Sequence, residues 1–304
     1  MTEALVSLIM SIADDELILG HRHSEWTGFA PHIEADVAFS SIAQDEIGHA
    51  SQLYALAAEA KGSNVNELAL GRAKNEYRNA IVCERDNGDW AYTLARHWLY
   101  DKADAIRLEA LQGTSHPPLA SLVNKIRREE RYHLIHADTW LARIARGPVE
   151  GRTKLIGAIS EAYVETMGLF EPFDGEEEAV KQGWWPVPSE RLRESFAETT
   201  ATSLEAWGLP THVQPDRQTG AEFVASSSGD LIAAEQQVAG RLDGTPEQQV
   251  AGRLDGTPEQ QVASNGATSA VEALGGRRGR HTRDFDDLWS VMTSTYQANP
   301  GARW

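Results

Sequence analysis

Cysteine is all but missing from this chain: Cys83 stands alone among 304 residues. A single thiol makes no internal disulfide, which predicts a reducing, cytoplasmic setting and leaves metal binding to histidine and carboxylate side chains. Long apolar runs are missing too. No stretch of 18 apolar residues occurs, and the N-terminal MTEALVSLIMSIADDELIL carries acid where an export signal carries base, so neither a membrane span nor a signal peptide is expected. Positive charge is scarce. Lys and Arg total 28 against 45 Asp and Glu, and the formal net charge of -17 argues against nucleic acid as a main partner, because phosphate backbones select basic surfaces. The alternation of apolar and polar residues that marks strands is almost absent.

What remains is helical periodicity, punctuated by glycine and proline. The pattern predicts long helices over residues 2–28, 31–61, 89–111 and 119–146, separated by breakers such as Gly28-Phe29-Ala30-Pro31, Gly62-Ser63-Asn64 and His116-Pro117-Pro118. A shorter helix is expected over 66–80, and amphipathic helices over 152–170, 189–207 and 284–297. Between them lies the aromatic loop Gly183-Trp184-Trp185-Pro186, read as packing on a core edge, with an interface to another protein chain as the alternative. Four helices of this length are ordinary for a bundle, so the expected class is all-α, a four-helix bundle over 1–210 with additional C-terminal helices. Residues 211–272 differ in character. They are rich in Gly, Ser, Gln and Ala, and VAGRLDGTPEQQ recurs with a 12-residue step through 238–263, a unit too small to bury a core. Residues 273–304 return to a loop and helix expected to pack on the bundle. The loop's Arg277, Arg278, Arg280 and Arg283 read as a basic cluster, either solvated or docking an acidic or phosphate-bearing partner.

The chemistry-bearing stretch is SIAQDEIGHASQL, residues 41–53. Glu46 and His49, three apart, fall on the helix face that also carries Phe39, Ile42 and Leu53, so both point towards the core. A second copy follows. Glu130 and His133 share a stripe with Leu119, Val123, Ile126, Ala137, Trp140 and Ile144. With 28 Glu and 10 His, about one Glu-x-x-His is expected by chance, so the weight lies in what precedes each pair. Glu16 lies on the stripe Leu5, Ile9, Ile12, Leu19; Asp101 lies on the stripe Leu94, Trp98, Ala105, Leu108. Each helix pair thus offers a carboxylate from its first helix and Glu-x-x-His from its second, the ligand set of di-iron and di-manganese carboxylate bundles. Four carboxylates balance two divalent ions. Without cations, like-charged carboxylates a few ångströms apart repel by about 4 kcal/mol per pair at an effective dielectric near 20. Glu46 and Glu130 are the expected bridges, and Asp45, Asp104, Glu129 and Asp138 are candidates to orient the histidines.

The chain also resembles a family. Glu25-Trp26, Gly28, Ala30-Pro31, Glu34, Asp36, Arg131-Tyr132-His133, Gly275-Gly276-Arg277, Gly279, His281-Thr282 and Trp304 are similar to the C-type subunits of bacterial ring-1,2-phenylacetyl-CoA epoxidases. The resemblance implies a ferritin-like fold and pairing with a homologous A-type oxygenase subunit within the epoxidase complex. It further implies a CoA thioester substrate reached through that complex, and electrons from a flavin and iron-sulfur reductase. C-type members often lack ligands and are read as structural partners, whereas here Glu16, Glu46, His49, Asp101, Glu130 and His133 form a complete set. Two roles therefore stand open within the family, a structural partner or a metal-binding one with a di-iron centre. Outside it stand a free-standing di-iron oxidase and a radical-generating subunit, for which Tyr54 and Tyr132 lie near ligands by helix position.

Overall fold

The first helix, α1 (Glu3–Ser24), is apolar on nearly every side, and its neighbours cover it on nearly every side. Leu5, Ile9, Ile12 and Leu19 are buried as their spacing predicts, but so are Asp14, Asp15 and Glu16. A computed structural model of the chain describes residues 2–211, 274–299 and 302; the repeat-bearing stretch 212–273 lies outside the described residues. Among the described residues there are helices and turns and no strand.

The second helix, α2 (Ile33–Lys61), ends at Gly62, whose φ of 63° is the left-handed cap that glycine adopts freely. It packs along the length of α1. They pack tightly at Gly20, where an added Cβ would meet Ile47 Cγ1 at 2.8 Å and Glu46 Cβ at 3.1 Å. Asn64 then caps a short α3 (Val65–Leu70) by accepting from the Glu67 backbone N–H. The single helix expected over 66–80 does not form. Its second half is a 3-10 turn, Lys74–Glu76, and an extended run into α4 (Ile81–Glu84). The buried carboxylates of α1 explain the difference: Asp14 accepts from the Arg78 N–H at 2.7 Å and Asp15 from the Ala80 N–H at 2.8 Å, donors a helix would have consumed internally.

Asp89 caps α5 (Trp90–Leu111), and prolines at the first two positions open α6 (Pro117–Ala145). These two helices pack on one another and, with α1 and α2, form the four-helix core. On α6 the expected stripe holds through Ala137 and then slips. Leu141 and Ala145 are fully buried while Trp140 and Ile144 are only half-buried, the drift expected when a 3.6-residue helix meets a 3.5-residue stripe. Beyond the bundle, α7 (Val149–Thr166) lies against α5 and continues as a 3-10 turn, Met167–Phe170. Two more helices follow, α8 (Glu176–Lys181) and α9 (Ser189–Ala206). Trp185 is buried edge-on against Phe173, ring centres 5.9 Å apart, so of the tryptophan pair this one belongs to the chain's own core.

The C-terminal segment corrects the reading of a basic surface cluster. Arg278, Arg280 and Arg283 are exposed, but Arg277 is buried. Its guanidinium grips both oxygens of Asp15, at 2.9 and 2.6 Å, and donates to the Ser11 carbonyl at 3.0 Å. Arg107 of α5 binds the same aspartate at 2.6 Å, so one carboxylate buried in α1 is held by two cations from distant parts of the chain. The last helix, α10 (Arg283–Ala298), then lays Phe285, Leu288 and Met292 against α3 and α4.

Candidate metal centre

Helix phase delivers all six sequence-predicted residues to the interior. Glu16 comes from α1, Glu46 and His49 from α2, Asp101 from α5, and Glu130 and His133 from α6; none is more than 4% exposed. The closest set is Glu16, His49 and Glu130. His49 Nδ1 lies 3.3 Å from Glu16 Oε2 and 3.2 Å from Glu130 Oε1. His133 Nδ1 lies 3.2 Å from the same Glu130 oxygen, so Glu130 sits between the two imidazoles. Glu46 is placed differently from the expected bridge: both its oxygens accept from His23 Nδ1, at 3.0 and 2.9 Å.

The outward faces of the two imidazoles are equally specific. His49 Nε2 donates to Glu129 at 2.8 Å, and His133 Nε2 donates to Asp45 at 3.2 Å. Both acids are partly exposed and stand at the rim. This is the arrangement in which a carboxylate fixes the tautomer and aim of a metal-binding histidine, leaving Nδ1 to face inward. Of the four candidate orienting acids, Asp45 and Glu129 take that position. Asp104 pairs instead with Arg107 at 2.7 Å, and Asp138 accepts from the Trp98 indole at 2.8 Å. The tyrosine that touches a ligand is neither of those expected. Tyr54 donates to Asp14 and Tyr132 is exposed, whereas Tyr100 donates to Glu16 Oε1 at 3.1 Å.

Burial by itself disfavours imidazolium, yet Glu130 and Glu16 raise His49 to about 11, and Glu130 with Asp45 raises His133 to about 12. Burial lifts Glu46 and Asp101 far above the carboxylate range, the neighbouring carboxylates adding to it. Burial pushes Glu130 the same way, but His133 and His49 override it and hold Glu130 below its ordinary value. The site thus collects four carboxylates that only cations or protons can hold together.

The donor set fits divalent metal. Both oxygens of Glu130, both of Asp101 and Nδ1 of His133 are buried without a well-formed hydrogen bond. Orphaned buried groups of this kind cost about 1–3 kcal/mol each, a cost that a bound cation would remove. Carboxylate and imidazole together suit iron, manganese or zinc.

With this geometry in hand, the sequence profile described as phenylacetic acid catabolic protein matches residues 1–223. The chain belongs to that family. Among curated proteins it is similar to the C-type subunit of 1,2-phenylacetyl-CoA epoxidase from Escherichia coli (strain K12), 32% identical over 168 residues, which are 55% of this chain and 68% of that protein. It is also similar to the A-type subunit of the same enzyme, 25% identical over 209 residues, 64% of this chain and 67% of that protein. The family resemblance read from the turn after the first helix falls within the matched residues and is met. So is the expected all-α class.

Two buried histidines of this family member escaped the sequence reading, His23 and His97. The signal was present. His23 lies seven residues beyond Glu16, two turns along the same α1 stripe, and His97 lies one turn before Asp101 on α5. Neither sits in a Glu-x-x-His pattern, so a search by motif passes over both.

Proposed function

We propose that this chain is a subunit of a multicomponent 1,2-phenylacetyl-CoA epoxidase of phenylacetate catabolism, taking the C-type position and pairing with an A-type oxygenase subunit. The observation that carries this reading is the family membership together with the higher identity to the C-type relative than to the A-type one. We further propose that the chain holds its own pair of divalent ions, in a volume framed by Glu16, Glu46, His49, Asp101, Glu130 and His133. The orphaned buried donors support it. When bound, a di-iron centre supplies the electrons that reduce dioxygen, which an aromatic ring carried as a thioester requires because it resists ionic attack.

The chain's own residues prepare that chemistry. Asp45 and Glu129 hold the two imidazoles so that Nδ1 faces inward. Glu130 stands between them, able to serve both sides, and Tyr100 keeps one oxygen of Glu16 occupied. Phe39, fully buried, packs against the His23 and His97 rings and puts apolar surface beside Glu46. The lone, buried Cys83 suits a cytoplasmic location, and among the described residues no helix is long and apolar enough to cross a membrane.

The test is reconstitution. Co-expressed with its A-type partner and supplied with reductase, the chain is expected to co-purify with that partner and to be required for phenylacetyl-CoA-dependent oxygen uptake. A homo-oligomer that ignores the A-type protein and oxidises iron alone would replace this reading with a free-standing di-iron oxidase.

A further inference from the structure

Beside the six residues lies a second group of donors from three helices: His23 at the end of α1, Glu46 on α2 and His97 on α5. Their ligating atoms lie within 4.8 Å of one another, and all three side chains are buried. The His23 and His97 rings meet edge to face, centres 5.1 Å apart. His23 donates Nδ1 to Glu46, but its Nε2 has no hydrogen-bond partner, and neither nitrogen of His97 has one. His97 Nδ1 does approach Asp101 Oδ1, at 3.3 Å, without hydrogen-bond geometry. Phe39 covers both rings, 5.1 Å from His23 and 5.2 Å from His97, so water is a poor substitute partner.

Packing alone does not account for this arrangement. An aromatic core position is filled equally well by phenylalanine, without the cost of three unpartnered buried nitrogens. The spacing does have a chemical meaning. Donors of one first-row ion, each at about 2.1 Å from it, stand roughly 3–3.4 Å apart; His97 Nδ1 and Asp101 Oδ1 stand 3.3 Å apart, and Glu46, by accepting from His23 Nδ1, fixes that ring and leaves its Nε2 as the free donor. Two imidazoles with one or two carboxylates form a donor set suited to divalent first-row ions.

We propose that His23, Glu46 and His97, with Asp101 as fourth donor, hold one divalent first-row transition ion in a position of their own, distinct from the position framed by Glu16, His49, Glu130 and His133. The partition divides the buried donors evenly. Each position receives two carboxylates and two imidazoles, so each divalent ion is neutralised locally, as burial in an apolar bundle demands. It also explains why Glu46 faces His23 rather than His49. This inference rests on the metal-binding half of the proposal above and is independent of the substrate.

The test uses the full chain loaded with Zn(II) or Co(II). His97→Phe and His23→Phe keep the ring shape and remove the donors. Each is expected to lose one of the two ions bound by the wild-type chain and to keep the other, while His49→Phe loses the ion that they retain. Should a variant fold poorly, long-range nitrogen spectra of the wild-type histidines give the same answer. Of the 10 histidines, four should shift to metal-bound values on Zn(II) loading. Two bound ions in the His23 and His97 variants, or only two shifted histidines in the wild type, would overturn the inference and leave the six-residue site standing. A wild-type chain that takes up no ion would remove both.

Discussion

Arg277 and Arg278 are consecutive letters with opposite environments, one clamped on Asp15 and the other in solvent. Nothing local in Gly-Gly-Arg-Arg-Gly-Arg tells them apart, since the partner lies 262 residues away in α1. A run of arginines reads as a surface patch until the buried aspartate that takes one of them is known. Substitution separates the two roles. Arg277→Gln leaves Asp15 buried with one cation instead of two, and is expected to cost about 3–5 kcal/mol in urea denaturation, whereas Arg278→Ser should stay within about 0.5 kcal/mol. The burial of the six candidate residues was legible at this scale because each replaces an apolar residue in phase. Their contacts were not, because helix phase says which face a side chain takes and not which neighbour it reaches. Glu46 shares a face with His49 yet bonds His23.

Among the elements, the close approach of α1 and α2 at Gly20 sets the distance between Glu16 on one helix and Glu46 and His49 on the other. Alanine is the better helix former by about 1 kcal/mol, but here its methyl would overlap Ile47 and press on Glu46. Gly20→Ala is therefore expected to destabilise, with an overpacking cost of about 1–3 kcal/mol outweighing the propensity gain, and to lower metal retention. Gly157 in α7 meets nothing within 4 Å of the same added atom. Gly157→Ala should accordingly stabilise by up to about 1 kcal/mol, and thermal denaturation of the two variants should show opposite signs. Gly62, Asn64 and Asp89 mark helix ends as read, whereas α1 stops at Ser24, short of the expected Gly28, and Pro117 and Pro118, read as breakers, form the first turn of α6. At 66–80 the helix ends on Gly71, and the buried Asp14 and Asp15 then take the backbone donors of Arg78 and Ala80 that a continuing helix would have used.

At the scale of the whole chain, an acidic protein of net charge -17 buries several of those carboxylates in its core, and each of two helix pairs offers a carboxylate and a Glu-x-x-His. Such an interior gains from any cation it admits. Ion present at about 100 times its dissociation constant adds about 2.7 kcal/mol to stability, so saturating Mn(II) or Fe(II) should raise the melting temperature and a chelator should return it. The bundle class was legible from periodicity, and the family from the residues of the turn after the first helix. The most direct measurement is the metal content of the full chain after anaerobic reconstitution with iron, read by mass spectrometry of the digested protein. The donor count predicts about two ions per chain. A content near zero after both aerobic and anaerobic loading would contradict it and leave the buried carboxylates of this protein with a structural role alone.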